Sequence, residues 1–131
     1  MVRLKILVFG NQLVGIDSLP LRLMPQLKEI FPDIEFMEFD PNENLENEGR
    51  DLNIIDTVEG IRNVRLITEK DIDLINGQRV FTMHDYDLGY NLKLLKKLNY
   101  IDRVRIFGLP MKISEKAALA QLSALIRSTL S

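Results

Sequence analysis

The residues of this chain best suited to act together chemically are Asp17, Asp56 and His84. Asp17 follows the apolar run Ile6-Leu-Val-Phe9, which ends at Gly10-Asn11; Asp56 closes Leu52-Asn-Ile-Ile-Asp56; and His84 follows the run that ends at Met83. If those runs are parallel strands, the loops at their carboxyl ends form one crevice, and all three side chains can reach it. Two carboxylates and an imidazole can bind a divalent ion and still leave coordination positions for water or a substrate group. Each residue also has a plainer use. Asp17 suits the positive end of a helix, Asp56 could be a solvated strand terminus, and His84 could be an ordinary hydrogen-bonded histidine. Their conjunction at one rim favours the metal reading. Asp40, Glu59, Asp85 and Asp87 stand close enough in sequence to compete, although Asp85 and Asp87 also suit the first turn of a following helix.

The elements that must position these residues are legible in the hydrophobic pattern. Ile6 to Phe9 reads as a strand buried on both faces. A helix follows, with Leu23, Leu27 and Ile30 on one face and Arg22, Gln26 and Glu29 turned away. Pro20 suits its first turn, whereas Pro25 predicts a kink or a late start, because an interior proline loses a backbone bond and clashes with the preceding turn. Ile34 to Phe39 is a second strand, stopped by Asp40-Pro41. The polar stretch from Asn42 to Arg50 is expected to be a solvated loop with room for a helical turn, and its acidic part, Glu43 to Glu48, a mobile rim of the substrate surface. Leu52 to Asp56 is the third strand, with short strands expected at Val64 to Thr68 and Arg79 to Met83. Leu88, Leu92 and Leu95 mark a helix ending near Asn99, and Arg103 to Phe107 a last strand before Gly108. The final helix starts at the N-cap candidate Ser114 and carries Ala118, Leu122, Leu125 and Ile126 on one side. Alternating strands and helices predict a single α/β domain over residues 1–131, with a mostly parallel sheet between helical layers.

Other chemistries fit less well. Gly10-Asn-Gln-Leu-Val-Gly15 has the glycine spacing of a phosphate-binding loop, but Ile16 and Asp17 stand where Lys and Ser/Thr should follow, and a carboxylate there repels phosphate. Ser18 could be imagined as a nucleophile with His84 as base, yet the glycines of a nucleophile elbow are missing; helix capping is the simpler use. Seventeen Lys and Arg against nineteen Asp and Glu, with no basic run, argue against a nucleic-acid partner. The chain has no cysteine, which removes disulfides, thiolate metal sites and thiol nucleophiles. No signal peptide is recognisable at the start and no apolar stretch is long enough to span a bilayer, so a cytoplasmic protein is expected.

The order of motifs resembles the hydrogenase maturation endopeptidases, the peptidase M52 family. The resemblance rests on Leu7-Val-Phe-Gly-Asn11, Gly15-Ile-Asp17, Ile54-Ile-Asp56 with Gly60 shortly after, Met83-His84, and the closing strand and helix. It implies a three-layer αβα fold of the phosphorylase/hydrolase-like kind. It also implies that Asp17, Asp56 and His84 are the metal ligands. By that resemblance the partner is the precursor of the large subunit of a nickel–iron hydrogenase, and the metal is nickel carried by that substrate, with zinc or cadmium as stand-ins. The implied activity is removal of a short C-terminal extension once nickel is present, with Asp17 or Asp56 as the carboxylate that could activate water. The chain departs from the family pattern before the first helix, where it reads Ile16-Asp17-Ser18-Leu19-Pro20 in place of two consecutive acids followed by glycines. A binding protein that kept the fold and its metal-facing rim without catalysis would need the same three residues.

Overall fold

The computed structural model describes residues 4–10, 18–39, 45–58, 60–73 and 100–130. Five strands form one sheet: β1 (Leu4–Val8), β2 (Ile34–Glu38), β3 (Asp51–Val58), β4 (Arg65–Thr68) and β5 (Arg103–Pro110), in the spatial order β2-β1-β3-β5-β4. All pairs are parallel except β4–β5. With helices on both sides of this mixed, mostly parallel sheet, the fold is a three-layer α/β arrangement. The expected fold class is therefore the one observed.

The sheet's side chains divide by parity into two cores. On one face Ile6, Val8, Ile55, Phe107 and Leu109 pack against Leu23 and Leu27 of α1 (Leu19–Ile30) and Ala118, Leu122 and Ile126 of the last helix, α3 (Glu115–Leu130). On the other, Leu7, Phe9, Ile54, Val58, Val104 and Ile106 cluster with Phe39, Leu45, Ile67 and Ile101. Burial on both faces explains why β1 and the middle of β3 read as continuous apolar runs rather than alternating ones. A short helix, α2 (Glu69–Asp73), follows β4 directly; Glu69 accepts the amide hydrogen of Val104 at 3.0 Å and so ties it to β5.

Several boundaries differ from the sequence expectation. α1 begins at Leu19 and continues through Pro25, so there is no late start. Pro25 is exposed, on the solvent side of the helix, while Leu23 and Leu27 on either side of it are fully buried. Their packing supports the turn that lacks one amide donor. β5 does not stop before Gly108 but runs through it to Pro110, because its ladder with β3 extends to the pair Val58–Pro110. The described part of the acidic segment, Leu45–Glu48, is not separate from the core as expected. Leu45–Glu48 is a 3-10 turn in which Leu45 is 1% exposed within the second core, and Glu48 bonds Lys5 at 2.7 Å near the amino end of β1. One apolar residue among the acids is enough to anchor the stretch to the core. Leu125 is only half-buried, at the margin of its helix's packed face. The strand expected at Arg79 to Met83 and the helix expected through Leu88, Leu92 and Leu95 lie outside the described residues.

No described helix is long and apolar enough to cross a membrane.

Candidate functional site

In the order β2-β1-β3-β5-β4 the chain reverses direction of growth between β1 and β3, and in open α/β sheets the carboxyl ends of the two strands at such a point are where ligands bind. The pairing Val8–Ile55, continued by one residue, sets Phe9 beside Asp56, and the amide of Phe9 bonds the Ile55 carbonyl at 2.9 Å. Phe39 follows in the same way from the pair Val8–Glu38, with its amide on the Val8 carbonyl at 2.9 Å. Towards the opposite edge, Asp56 pairs with Gly108 and Gly108 with Arg65. A single row therefore crosses the sheet near its carboxyl edge: Phe39, Phe9, Asp56, Gly108, Arg65. Each member is two residues from a side chain of the second core, Met37, Leu7, Ile54, Ile106 and Ile67 in turn, so all five sit on the same face.

Asp56 is 0% exposed. One carboxylate oxygen, Oδ1, accepts the backbone N–H of Thr57 at 2.8 Å, which fixes the orientation of the group. Ile54 and Val58, its neighbours on the same face, belong to the apolar core. Removing a carboxylate from water into such surroundings is costly unless its charge is compensated, and an apolar residue would fill this volume more cheaply. A buried acid at the switch point of a parallel sheet is thus a strong functional candidate. The expectation that Asp56 terminates its strand was short by two residues: Thr57 and Val58 continue the ladder with β5.

The aromatic pair on one side of Asp56 is rigid. Phe9 and Phe39 stack with centroids 5.1 Å apart and planes inclined by 21°, both almost fully buried. On the other side Gly108 leaves no room to spare, since a Cβ there would lie 2.9 Å from Val58 Cγ2 and 3.4 Å from Ile67 Cδ1. Beyond it, Arg65 is exposed.

Asp17 and His84, the other two expected ligands, lie outside the described residues, as do the competitors Asp40, Glu59, Asp85 and Asp87. Among the described residues no three histidine, aspartate or glutamate side chains are gathered. Asp56 itself fits a metal-facing role in chemistry, as an oxygen donor oriented by a backbone amide. Ser18 occupies the N-cap position of α1 but does not cap it through its side chain; its hydroxyl instead accepts a bond from Arg22, one turn on. Arg22 also reaches Glu115 of α3 at 2.6 Å, so Ser18 belongs to a link between helices.

Sequence reasoning missed Gly108 and Arg65 as neighbours of Asp56. The alternation of β3 and β5 was visible, but the antiparallel return of β4, which brings Arg65 into the row, was not. The described part of the connection, residues 60–64, follows a β3 that ends at Val58, opposite the end of β5, and enters β4 beside Gly108. Gly60 takes a positive φ of 84° in it, a conformation that side chains other than glycine's resist.

At the opposite, amino edge of the sheet, Arg50 and Asp102 form a bidentate pair at 2.8 and 2.9 Å, and the Arg50 carbonyl accepts the amides of Asp102 and Arg103. The hydrogen bond from Arg50 holds the Asp102 carboxyl below its ordinary range. This clamp joins the starts of β3 and β5, far from Asp56.

No family model matches the chain, and comparison with curated proteins and with solved structures finds no match either.

Proposed function

We propose that this protein is a peptide-bond hydrolase of the hydrogenase maturation type, which recognises nickel in the immature large subunit of a nickel–iron hydrogenase and removes its C-terminal extension. The observation that carries the reading is Asp56: the aspartate singled out by the motif resemblance is fully buried at the carboxyl edge of β3, beside the end of β1. From that end of β1 the chain leads on to the segment containing Asp17. In this reading Asp17, Asp56 and His84 dock the substrate-borne nickel. Oxygen and imidazole donors leave positions open on such an ion, as docking to a metal already held by another protein requires. One carboxylate of the set, Asp17 or Asp56, takes the proton from the attacking water.

The stacked Phe9–Phe39 pair supports the same reading physically. A wall of buried aromatic carbon beside a carboxylate lowers the local dielectric and strengthens that carboxylate's interaction with a cation. The deciding experiment is incubation of the protein with a nickel-loaded large-subunit precursor and mass spectrometry of the products. Release of the C-terminal peptide by the unmutated protein, and its loss in Asp56→Asn, is expected. An intact precursor, or undiminished cleavage by Asp56→Asn, would sink the proposal.

A further inference from the structure

The row across the sheet continues past Asp56 to a cation. Arg65 lies two strands away on the same face, about 10 Å off by the usual strand spacing, with only a glycine between. It opens β4 where the loop from β3 arrives, and Arg62 stands exposed on that loop. Neither guanidinium has an ion-pair partner among the described residues, whereas Arg22 and Arg50 each hold a carboxylate.

The loop that carries Arg62 and leads into Arg65 is held at both ends. Ile61 packs against the core on the Asp56 face and Val64 against the core on the helix face, so the segment straddles the sheet edge. Gln121 of α3 secures its far end: its side-chain oxygen accepts the Val64 amide at 2.9 Å, and its nitrogen donates to Asn63 Oδ1 at 3.3 Å. A half-buried glutamine reaching 57 residues back to bond a loop amide fixes the path of that loop. An arginine on a fixed loop and a second on the strand it enters differ from two on a free segment, because less conformational entropy is lost when they bind.

We propose that Arg62 and Arg65 form a carboxylate-binding subsite next to Asp56, positioned by Gln121, and that it takes the carboxylate-bearing stretch of the extension to be removed. The inference rests on the peptidase reading for the identity of its ligand. Its geometry does not depend on metal binding. A separation of about 10 Å corresponds to about three residues of extended chain, so a carboxylate a few positions beyond a scissile bond near Asp56 would meet Arg65. Both a side-chain carboxylate and the terminal carboxylate of the extension share this chemistry. Arginine binds either one through its planar fork.

The test uses fluorescein-labelled hexapeptides and anisotropy at low salt. One peptide carries two glutamates and an amidated end, one carries glutamines and a free C-terminal carboxylate, and one carries glutamines and an amidated end. The unmutated protein is expected to prefer one or both carboxylate peptides over the neutral one, the preferred peptide identifying the source of the carboxylate. Arg62→Gln and Arg65→Gln should each weaken that preference by up to about fivefold, the range for exposed ion pairs, and the double variant should abolish it. Arg65→Lys should restore part of it. Gln121→Leu, with both arginines present, should weaken it as well and speed deuterium exchange at the Val64 amide, which a role confined to global stability would not single out. Equal binding of all three peptides, or a preference untouched in the double variant, overturns the subsite. Nickel titration of Asp56→Asn against the unmutated protein judges the parent reading separately, since loss of the arginines should leave nickel affinity unchanged.

Discussion

Replacing Gly108 by alanine adds one methyl group between β3 and β4, and the structure fixes what it must displace. The new Cβ would lie 2.9 Å from Val58 Cγ2 and 3.4 Å from Ile67 Cδ1. The Ile67 atom ends a flexible side chain and can swing aside. The Val58 atom cannot, because it is one bond from a β-branched carbon with restricted rotation, and Val58 is 1% exposed. Relief therefore needs a poorer rotamer or a shift of β3 against β5. Overpacking of this kind costs about 1–3 kcal/mol. Against it, alanine restricts the unfolded chain and returns about 0.4–1 kcal/mol. The net expectation is a destabilisation of about 1–2 kcal/mol, which for a domain of this size lowers the melting temperature by about 4–7 °C. Urea denaturation should show the midpoint falling with an unchanged slope. Val58→Ala by itself destabilises through lost packing, but in that background Gly108→Ala should cost much less, a coupling readable from the double-mutant cycle. An equal cost in both backgrounds, or a stabilised single variant, would refute the assignment of the clash to Val58. Since Gly108 separates Asp56 from Arg65, the same variant should also disturb the carboxylate preference described above.

Leu122→Ala, which truncates a side chain with no exposed surface in the core under α3, should cost about 2–5 kcal/mol in urea denaturation; a shift under 1 kcal/mol would contradict that packing. Calorimetric titration with nickel should show strong weakening in Asp17→Asn, Asp56→Asn and His84→Ala and little in Asp85→Asn or Asp87→Asn, and a dominant effect of Asp85 would displace the ligand assignment. Binding should also weaken as pH falls below about 6.5, because the imidazole must be neutral to donate its lone pair. Asp102, whose folded carboxyl is depressed by Arg50, contributes stability that is present above the ordinary carboxylate range and lost as pH falls through the folded value. The stability difference between Asp102→Asn and the unmutated protein should therefore vanish in acid and shrink in high salt, and a difference that persists at low pH would show that the carboxylate charge is not its source.

How much the sequence could determine alone followed from how local each signal was. The patterns at Ile6 to Phe9, Leu52 to Asp56 and Arg103 to Phe107 sufficed to locate β1, β3 and β5: the first is apolar on both faces, the second is mostly apolar, and in the third Arg103 and Arg105 alternate with buried Val104 and Ile106. The stripe Ala118, Leu122, Ile126 likewise sufficed to orient α3, since helical periodicity is written within a few turns. Asp56 was legible as a carboxylate following an apolar strand. Its complete burial, its anchoring by the Thr57 amide and its place in the row from Phe39 to Arg65 were not, because each depends on partners far along the chain. Leu45 misled for the same reason: one leucine among acids reads locally as solvated loop, and only the cavity between elements distant in sequence makes it core. Gly108 read as a strand terminator because glycine ends many strands, yet here the approach of Val58 and Ile67 from two other strands requires it. Composition and periodicity act over a few residues and fix which segments are strands and helices. Strand order and register, which decide which side chains share a face and a row, are set by long-range packing and by the antiparallel return of β4.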